Sequence, residues 1–473
     1  MKTSLASRVG RNFLWLLIGD LASKVFLFIA TVWIARKLTD AGFGTLSFAQ
    51  AVLSYMIITM DMGLPIYGTR EIAREPEKAS VFAGNILGIR FSLAVILVVG
   101  TWALMSLLEV EPVLRWLIIF TSFWLFPWAL NLEFAFTGLE KMRYASLGQF
   151  LFQFLFLISV VFTIHEVGDL LKVPLIRALM AMVVSIVLIY NFQKVIKTNF
   201  FEIFRQIDIR GWKKYIRDSF YLAASLIVIK IYYSFDTLML GFYNQMSAVG
   251  WYNAAYRIII LFVTIASLLQ TAFAPFFVKK QDRLNEFLPG VQKFAWVLML
   301  SVNVITVFIF VFSAELIPIF FGKDYMNSIW ILRYLSLSLL FIFADTVYLA
   351  PLLYTGGQKK YFISVLVGAV LNITLNLILI PRYSYYGAVI ATILSNAVVF
   401  LSGAYFFTKI FRFDLLTFKV VFLNILACFF SIFVLQKIML ISPALSVVVF
   451  LMILVTGALI GRKPIFKIIQ ELI

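Results

Sequence analysis

Cysteine and histidine are nearly absent: Cys428 and His165 are the single examples in 473 residues. That scarcity excludes a disulfide framework and any zinc site built from several such ligands. Charge is scarce as well, with 13% of residues charged against 63% hydrophobic and a mean hydropathy of +0.99. These values are far from the balance of a soluble globular domain and place the chain in a membrane. No G-x-x-x-x-G-K-[ST] run occurs, so the chain lacks the phosphate loop that ATP hydrolysis would need. Acidic residues are scarcer than basic ones, 23 against 40, for a net charge of +17. No separate polar, basic domain exists to carry a nucleic-acid function, so no nucleic-acid partner is expected. Cys428 sits in an apolar run and reads as a packing residue. His165, at the end of an apolar segment, reads as a loop residue, with a pH-sensitive role as the alternative.

What the sequence has in abundance is long apolar runs. A helix crossing about 30 Å of hydrocarbon needs roughly 20 apolar residues, and fourteen such segments can be drawn. They include 12 to 35, 43 to 67, 113 to 137, 219 to 241, 361 to 380 and 442 to 460. No stretch alternates apolar and polar residues as a barrel strand would. The expected fold class is therefore an all-α polytopic membrane protein of about fourteen transmembrane helices. The basic N-terminus resembles a secretory signal, but its apolar stretch is too long for a signal core and reads as an uncleaved first helix. Placing that terminus in the cytoplasm puts most of the 40 Lys and Arg on the cytoplasmic side, together with the C-terminal Arg462, Lys463 and Lys467. The segment 193 to 218 interleaves seven basic residues with Phe200, Phe201, Phe204, Trp212 and Tyr215, the pattern of a basic amphipathic linker lying on anionic lipid.

The chain also repeats itself. One constant offset superposes Arg11 on Arg217, Lys24 on Lys230, Thr31 on Thr237 and Gly44 on Gly250. A second, slightly longer offset superposes F-T-G-L-E-K at 136 to 141 on Y-T-G-G-Q-K at 354 to 359. Both put six helices on six helices in the same order, a parallel repeat about a pseudo-twofold axis along the membrane normal. The expected organisation is an N-lobe over 1–192, the linker over 193–218, a C-lobe over 219–410, and two further helices with a basic tail over 411–473. The doubled loop reads as a helix stop, with Gly as a left-handed cap and Lys as an anchor at the inner leaflet.

Charges deep in such helices are the functional candidates, because each costs roughly 2.5 to 3.5 kcal/mol unless it meets water or a partner. Lys24 and Lys230 are deepest, about 18 Å from either helix end at 1.5 Å per residue. Arg90 and Arg257 are intermediate, and Arg177 and Arg333 lie near helix ends, where snorkelling is expected. Two deep lysines, one per lobe, would hold an anion, and diphosphate suits ammonium point charges. An ion pair between helices is the competing explanation; Asp20, four residues before Lys24 and itself a candidate for ion coupling or gating, could also make a pair within the helix. Asp61, Asp236, Asp345 and Glu133 are the other acids at depth. They are candidates for coupling to Na⁺ or H⁺, or for gating salt bridges. No catalytic group, metal site or cofactor is expected.

The runs V-W-I-A-R-K-L-T-D-A-G-F-G at 32 to 44, D-M-G-L at 61 to 64 and T-R-E-I-A-R at 69 to 74 resemble the Wzx-type polysaccharide flippases. The likeness continues through the paired T-G loops and N-I-T-L-N-L-I-L-I-P at 372 to 381. These flippases belong to the multidrug/oligosaccharidyl-lipid/polysaccharide exporter superfamily, with the lipid II flippases and the multidrug and toxin extruders. The resemblance implies two six-helix lobes working by alternating access, a cationic cavity between helices one, two, seven and eight, and a lipid-linked oligosaccharide such as an O-antigen unit as cargo. Helix two lacks any Lys or Arg, a departure from the lipid II branch.

The function expected is a flippase moving a polyprenyl-diphosphate-linked oligosaccharide from the inner to the outer leaflet of a prokaryotic inner membrane. Its partners would be that glycolipid and membrane lipids. It would act as a monomer, alongside glycan polymerase machinery. The membrane potential would drive transport, with Na⁺ or H⁺ antiport as an added source. A lipid II-type flippase and a multidrug/cation antiporter are the alternatives. An integral-membrane polymerase or ligase would need a substantial outside loop, and the outside connections are short.

Overall fold

The computed structural model describes residues 5–243, 245–411 and 415–441. Among these residues the regular elements are helices, with no strand. They form two compact units, Met1–Gly250 and Trp251–Ile473. Among the described residues eleven stretches are long and apolar enough to cross a membrane, and the first, Leu21–Arg74, has 54 residues, the length of two passes. The expected fourteenth span, 442 to 460, lies outside the described residues.

In the first unit, α1 (Leu5–Asp61) carries both of the first two expected spans. No loop separates them: the chain kinks at Thr39, with φ 63° and ψ 174°. A β-branched residue adopts such a conformation at a cost of about 1–3 kcal/mol. Asp40 takes the next backbone N–H, that of Ala41, on its carboxylate at 2.8 Å. A left-handed pair, Met62 and Gly63, then leads into α2 (Leu64–Arg74), and α3 (Ala79–Leu107) follows. After the fourth span come α7 (Met142–Thr163) and α8 (Lys172–Ile196).

The expected fourth span is not one helix. It is α4 (Pro112–Ser122), α5 (Leu125–Ala129) and α6 (Glu133–Gly138). Pro127, inside α5, has no N–H to donate to the previous turn, which weakens the helix at this point. Freed backbone at membrane depth must find other partners. Ser185 Oγ donates to the Pro127 carbonyl at 2.9 Å and Arg90 Nη1 to that of Asn131 at 3.1 Å. Asn131 Oδ1 takes the Glu133 N–H at 2.7 Å.

The linker is pinned to the protein. It forms α9 (Phe200–Arg205), with a capping box between Asn199 and Glu202, and a short turn before α10 (Trp212–Phe242). Asn85 of α3 accepts from Asp208 N at 2.8 Å and Trp212 Nε1 at 3.1 Å, and donates to Gln206 O at 3.2 Å. At Gly84 a Cβ would stand 2.2 Å from the Ile203 carbonyl, so the absence of a side chain sets the docking distance. The outward side keeps Lys197, Arg205, Arg210, Lys213, Lys214 and Arg217 exposed.

Two glycines of the repeat touch. A Cβ on Gly44 would lie 1.7 Å from the Met246 carbonyl, and one on Gly250 would lie 2.0 Å from that of Asp40. Asp40 and Met246 stand at the same offset as Gly44 and Gly250, so the contact is reciprocal, as a local twofold requires.

The second unit takes most of α11 (Met246–Lys280), then α12 (Leu284–Phe320), α13 (Asn327–Tyr354), α14 (Gln358–Tyr383), α15 (Tyr385–Phe411) and α16 (Leu415–Ile441). Phe277 and Phe273 pack on Phe294 at 5.3 and 4.7 Å, and Phe287 packs on Phe411 at 4.9 Å. In lipid such packing and interhelical hydrogen bonds replace the hydrophobic drive between helices. Asn303 of α12 donates to Asn424 of α16 at 2.9 Å, tying the last described helix to its neighbour.

The doubled loop is a helix stop in both copies, but the copies are shifted. Gly356 is left-handed (φ 82°) and Gly357 N reaches back to Leu352 O at 2.8 Å. In the first copy Gly138 stays helical and Glu140 is the left-handed residue (φ 57°), with Lys141 N on Phe136 O at 2.8 Å. Both are Schellman caps. The first places a side-chain-bearing residue where the second has glycine.

Candidate functional site

The break in the fourth span opens a cavity of about 340 Å³ inside the first unit. Its walls are α1 with Ser23, Lys24 and Leu27, the broken span with Trp124, Trp128, Asn131 and Glu133, α7 with Gln149, Phe152 and Gln153, and α8 from Arg177 to Ser185. Eight residues of α8 correspond to about 12 Å along the cavity at 1.5 Å per residue.

Two cations line it. Arg177 lies over the Trp124 ring, 4.7 Å from its centroid, and Trp124 stacks on Trp128 at 6.0 Å. Lys24 is half-buried on the α1 wall. A buried network adjoins it. Asp61 accepts from Arg90 Nε at 2.9 Å and Trp128 Nε1 at 3.1 Å. Arg90 continues to the Asn131 carbonyl, whose side chain donates to Glu133 Oε1 at 3.2 Å, while Gln149 donates to Glu133 Oε2 at 3.0 Å. Gln153 Oε1 is buried and accepts no hydrogen bond among the described residues.

Of the residues singled out from sequence, Lys24 lines this cavity. Arg90 and Asp61 do not: they form an ion pair behind its wall, with side chains 2% and 20% exposed. Arg90 is thus a brace for the broken span, the interhelical ion pair that competed with a substrate role. Lys230 is exposed on α10 and is not part of the cavity lining. Asp236 is buried on α10, near the point where Ser54 of α1 meets Ser234 at 3.0 Å. The side chain of Asp20 lies outside the described residues. In the second unit, Arg257 is half-buried on α11, and Asp345 on α13 accepts from Thr346 Oγ1 at 3.3 Å. Arg333 bonds Ser313 at 3.1 Å rather than snorkelling.

Arg177 was expected to snorkel and instead enters the cavity wall. Trp124, Trp128, Asn131, Gln149 and Gln153 were not singled out. Signals for them were present: Pro127 and Asn131 interrupt an apolar run, and Gln149 and Gln153 are four residues apart, on one helical face.

Comparison with known proteins agrees with this architecture. The polysaccharide biosynthesis protein family matches residues 9–281. A protein of Escherichia coli (strain K12) named as an O-antigen transporter is 22% identical over 406 residues, covering 82% of this chain and 94% of its own. A Shigella dysenteriae protein of the same name is 21% identical over 395 residues, covering 83% and 98%. Among solved structures, the lipid II flippase MurJ in an inward closed conformation aligns with TM-score 0.72 at 14% identity, over 96% of this chain and all of its own. A multidrug resistance MATE family transporter, inward-facing, aligns with TM-score 0.65 at 15% identity, over 82% and 95%. A Pyrococcus furiosus transporter of that superfamily, titled for the reverse polarity of its binding pocket, aligns with TM-score 0.61 at 15% identity, over 86% and 96%. These likenesses at low identity establish the fold. The family match spans more than half of the chain, which therefore belongs to the polysaccharide biosynthesis protein family, as a multi-pass membrane protein with the fold of the multidrug/oligosaccharidyl-lipid/polysaccharide exporters.

Proposed function

We propose that this protein flips a polyprenyl-diphosphate-linked oligosaccharide from the inner to the outer leaflet by alternating access. The observation that carries the reading is Lys24, in mid-helix and on the wall of a polar cavity it shares with Arg177. A lysine at that depth is costly unless it meets water or an anion. The names of the curated relatives and the lipid II cargo of the MurJ neighbour point to glycolipid export. Lys24, with Lys230 as its counterpart in the repeat, would receive the diphosphate while the polyprenyl tail stays in lipid. With the inside negative, two charges moving outward gain about 4.6 kcal/mol at 100 mV, so the potential alone can drive the step. Asp236, Asp345 and Glu133 are the described carboxylates through which an inward Na⁺ or H⁺ would add to it. Asp61, already bound by Arg90 and Trp128, is better suited to bracing.

The test is export of the lipid-linked glycan by Lys24→Ala, Lys230→Ala and the double variant, each checked for normal insertion. Loss of export is expected, and wild-type export by the double variant would refute the assignment. Robust efflux of cationic drugs in a sensitised strain would instead favour the multidrug antiporter reading, which two cations on the cavity wall oppose.

A further inference from the structure

The geometry points to a saccharide subsite inside the first unit: the cavity beside the broken span takes one pyranose ring bearing an anionic group. Lys24 or Arg177 would meet the anion, Gln153 a ring hydroxyl, and Phe152 and Trp128 the apolar face of the ring. The inference rests on the flippase reading and adds to it a place where one sugar of the cargo is held.

Three observations select this ligand class. The first is charge. Lys24 and Arg177 stand on the wall against one carboxylate, Glu133, whose two oxygens are engaged by the amides of Asn131 and Gln149. A metal cation would find like charge there, and no cluster of three His, Cys, Asp or Glu occurs among the described residues. The second is the buried Gln153 Oε1, an acceptor with no donor among the described residues. A buried polar atom left so is costly, and a sugar hydroxyl supplies both a donor for it and an acceptor for the adjoining amide N–H. The third is the mixture of surfaces. Phe152 and Trp128 are half-buried on the same wall as those amides. A bare phosphate would make no use of the aromatic part of the wall, and a purely apolar ligand would leave the Gln153 acceptor without a donor. The volume agrees: about 340 Å³ is at the low end of the roughly 300–1,000 Å³ of small-molecule sites, enough for one substituted ring.

Two sources share this chemistry: the sugar joined to the lipid diphosphate, and an acidic sugar within the glycan. Full-length protein in nanodiscs, titrated with glucose 1-phosphate, glucuronate, glucose and inorganic phosphate and read by saturation-transfer NMR, separates them. At least one of the two anionic sugars is expected to bind about tenfold more tightly than glucose or phosphate. Preference for glucose 1-phosphate assigns the site to the lipid-proximal sugar, and preference for glucuronate to an acidic residue of the glycan. Gln153→Leu should weaken the anionic sugar about tenfold and leave phosphate unchanged. Gln153→Glu, of the same size, should weaken both anionic sugars more than glucose. Phosphate binding as well as the sugars, no binding of any probe by folded protein, or folded Gln153 variants that bind like wild type would each overturn the subsite. If those failures occur while the Lys24 and Lys230 variants lose export, the subsite alone falls. If those lysine variants export normally, the flippase assignment falls independently of the titration.

Discussion

Breaking the pair between Arg90 and Asp61 should cost more than any exposed ion pair in the chain. The Arg90 side chain is 2% exposed and that of Asp61 20%. Asp61→Ala leaves a buried guanidinium with the Asn131 carbonyl at 3.1 Å and orphans the indole N–H of Trp128. Removing one partner of a buried pair costs about 3–5 kcal/mol. The remaining carbonyl and the partial exposure of Asp61 put this case near the low end, about 3 kcal/mol. Arg90→Leu leaves Asp61 with Trp128 and some access to solvent, so its cost should be smaller. The double variant replaces the buried charges by apolar volume and should recover much of the loss. Chemical unfolding in mixed micelles, followed by tryptophan fluorescence for wild type, both single variants and the double, gives the coupling directly. A coupling of about 2–3 kcal/mol is expected. Additive single effects, with coupling under about 0.5 kcal/mol, would show that the pair does not brace the broken span.

Asn85→Ala should orphan the donors of Asp208 and Trp212, at about 1–3 kcal/mol each. Limited trypsin digestion should then cut faster at Lys197, Arg205 and Arg210, and unchanged cutting would mean the linker is held some other way. Gly44→Ala and Gly250→Ala should each destabilise by about 1–3 kcal/mol through overpacking. The double variant should cost less than the sum, because either substitution opens the same contact; strict additivity in thermal unfolding would contradict this. Asp169, hydrogen-bonded by Lys172 and by the His165 and Glu166 N–H groups, has its pKa lowered from 3.8 to about 2. A depressed folded-state pKa stabilises above the unfolded value and is lost as pH falls through the folded one. Amide exchange over 164–170, corrected for intrinsic rate, should therefore hold from pH 7 to about 4 and rise toward pH 2, whereas Asp169→Asn should raise it already at pH 7.

Depth along an apolar run was a usable guide to Lys24, because a lysine that far from either helix end has no route to the interface. The same argument treated Arg90 as a cavity cation and missed its partner. Asp61 and Arg90 are 29 residues apart, and depth says nothing about which neighbouring helix faces a charge. Arg177 was misjudged for a related reason. A position near a helix end permits snorkelling, but stacking over Trp124 offers the guanidinium a partner inward. The alignment of the two T-G loops located two helix stops, yet the left-handed residue of the first is Glu140, which a glycine-based reading passes over. The fourth span misled most, since a mostly apolar stretch of twenty-five residues looks like one helix until its partners Ser185 and Arg90 are brought up from other parts of the chain.

That broken span bears on how the protein is made. Its pieces have 11, 5 and 6 residues, and none alone reaches across about 30 Å of hydrocarbon. During synthesis the segment can enter as a single helix in which the carbonyl one turn before Pro127 lacks its intrahelical donor. Ser185, which donates to the Pro127 carbonyl, and the cavity walls given by α7 and α8 are made only later in the chain. The cavity is then a product of late assembly, absent from the freshly inserted chain. A variant that stalls before this step would carry the right number of crossings and the right topology, pass every insertion assay, and have no site.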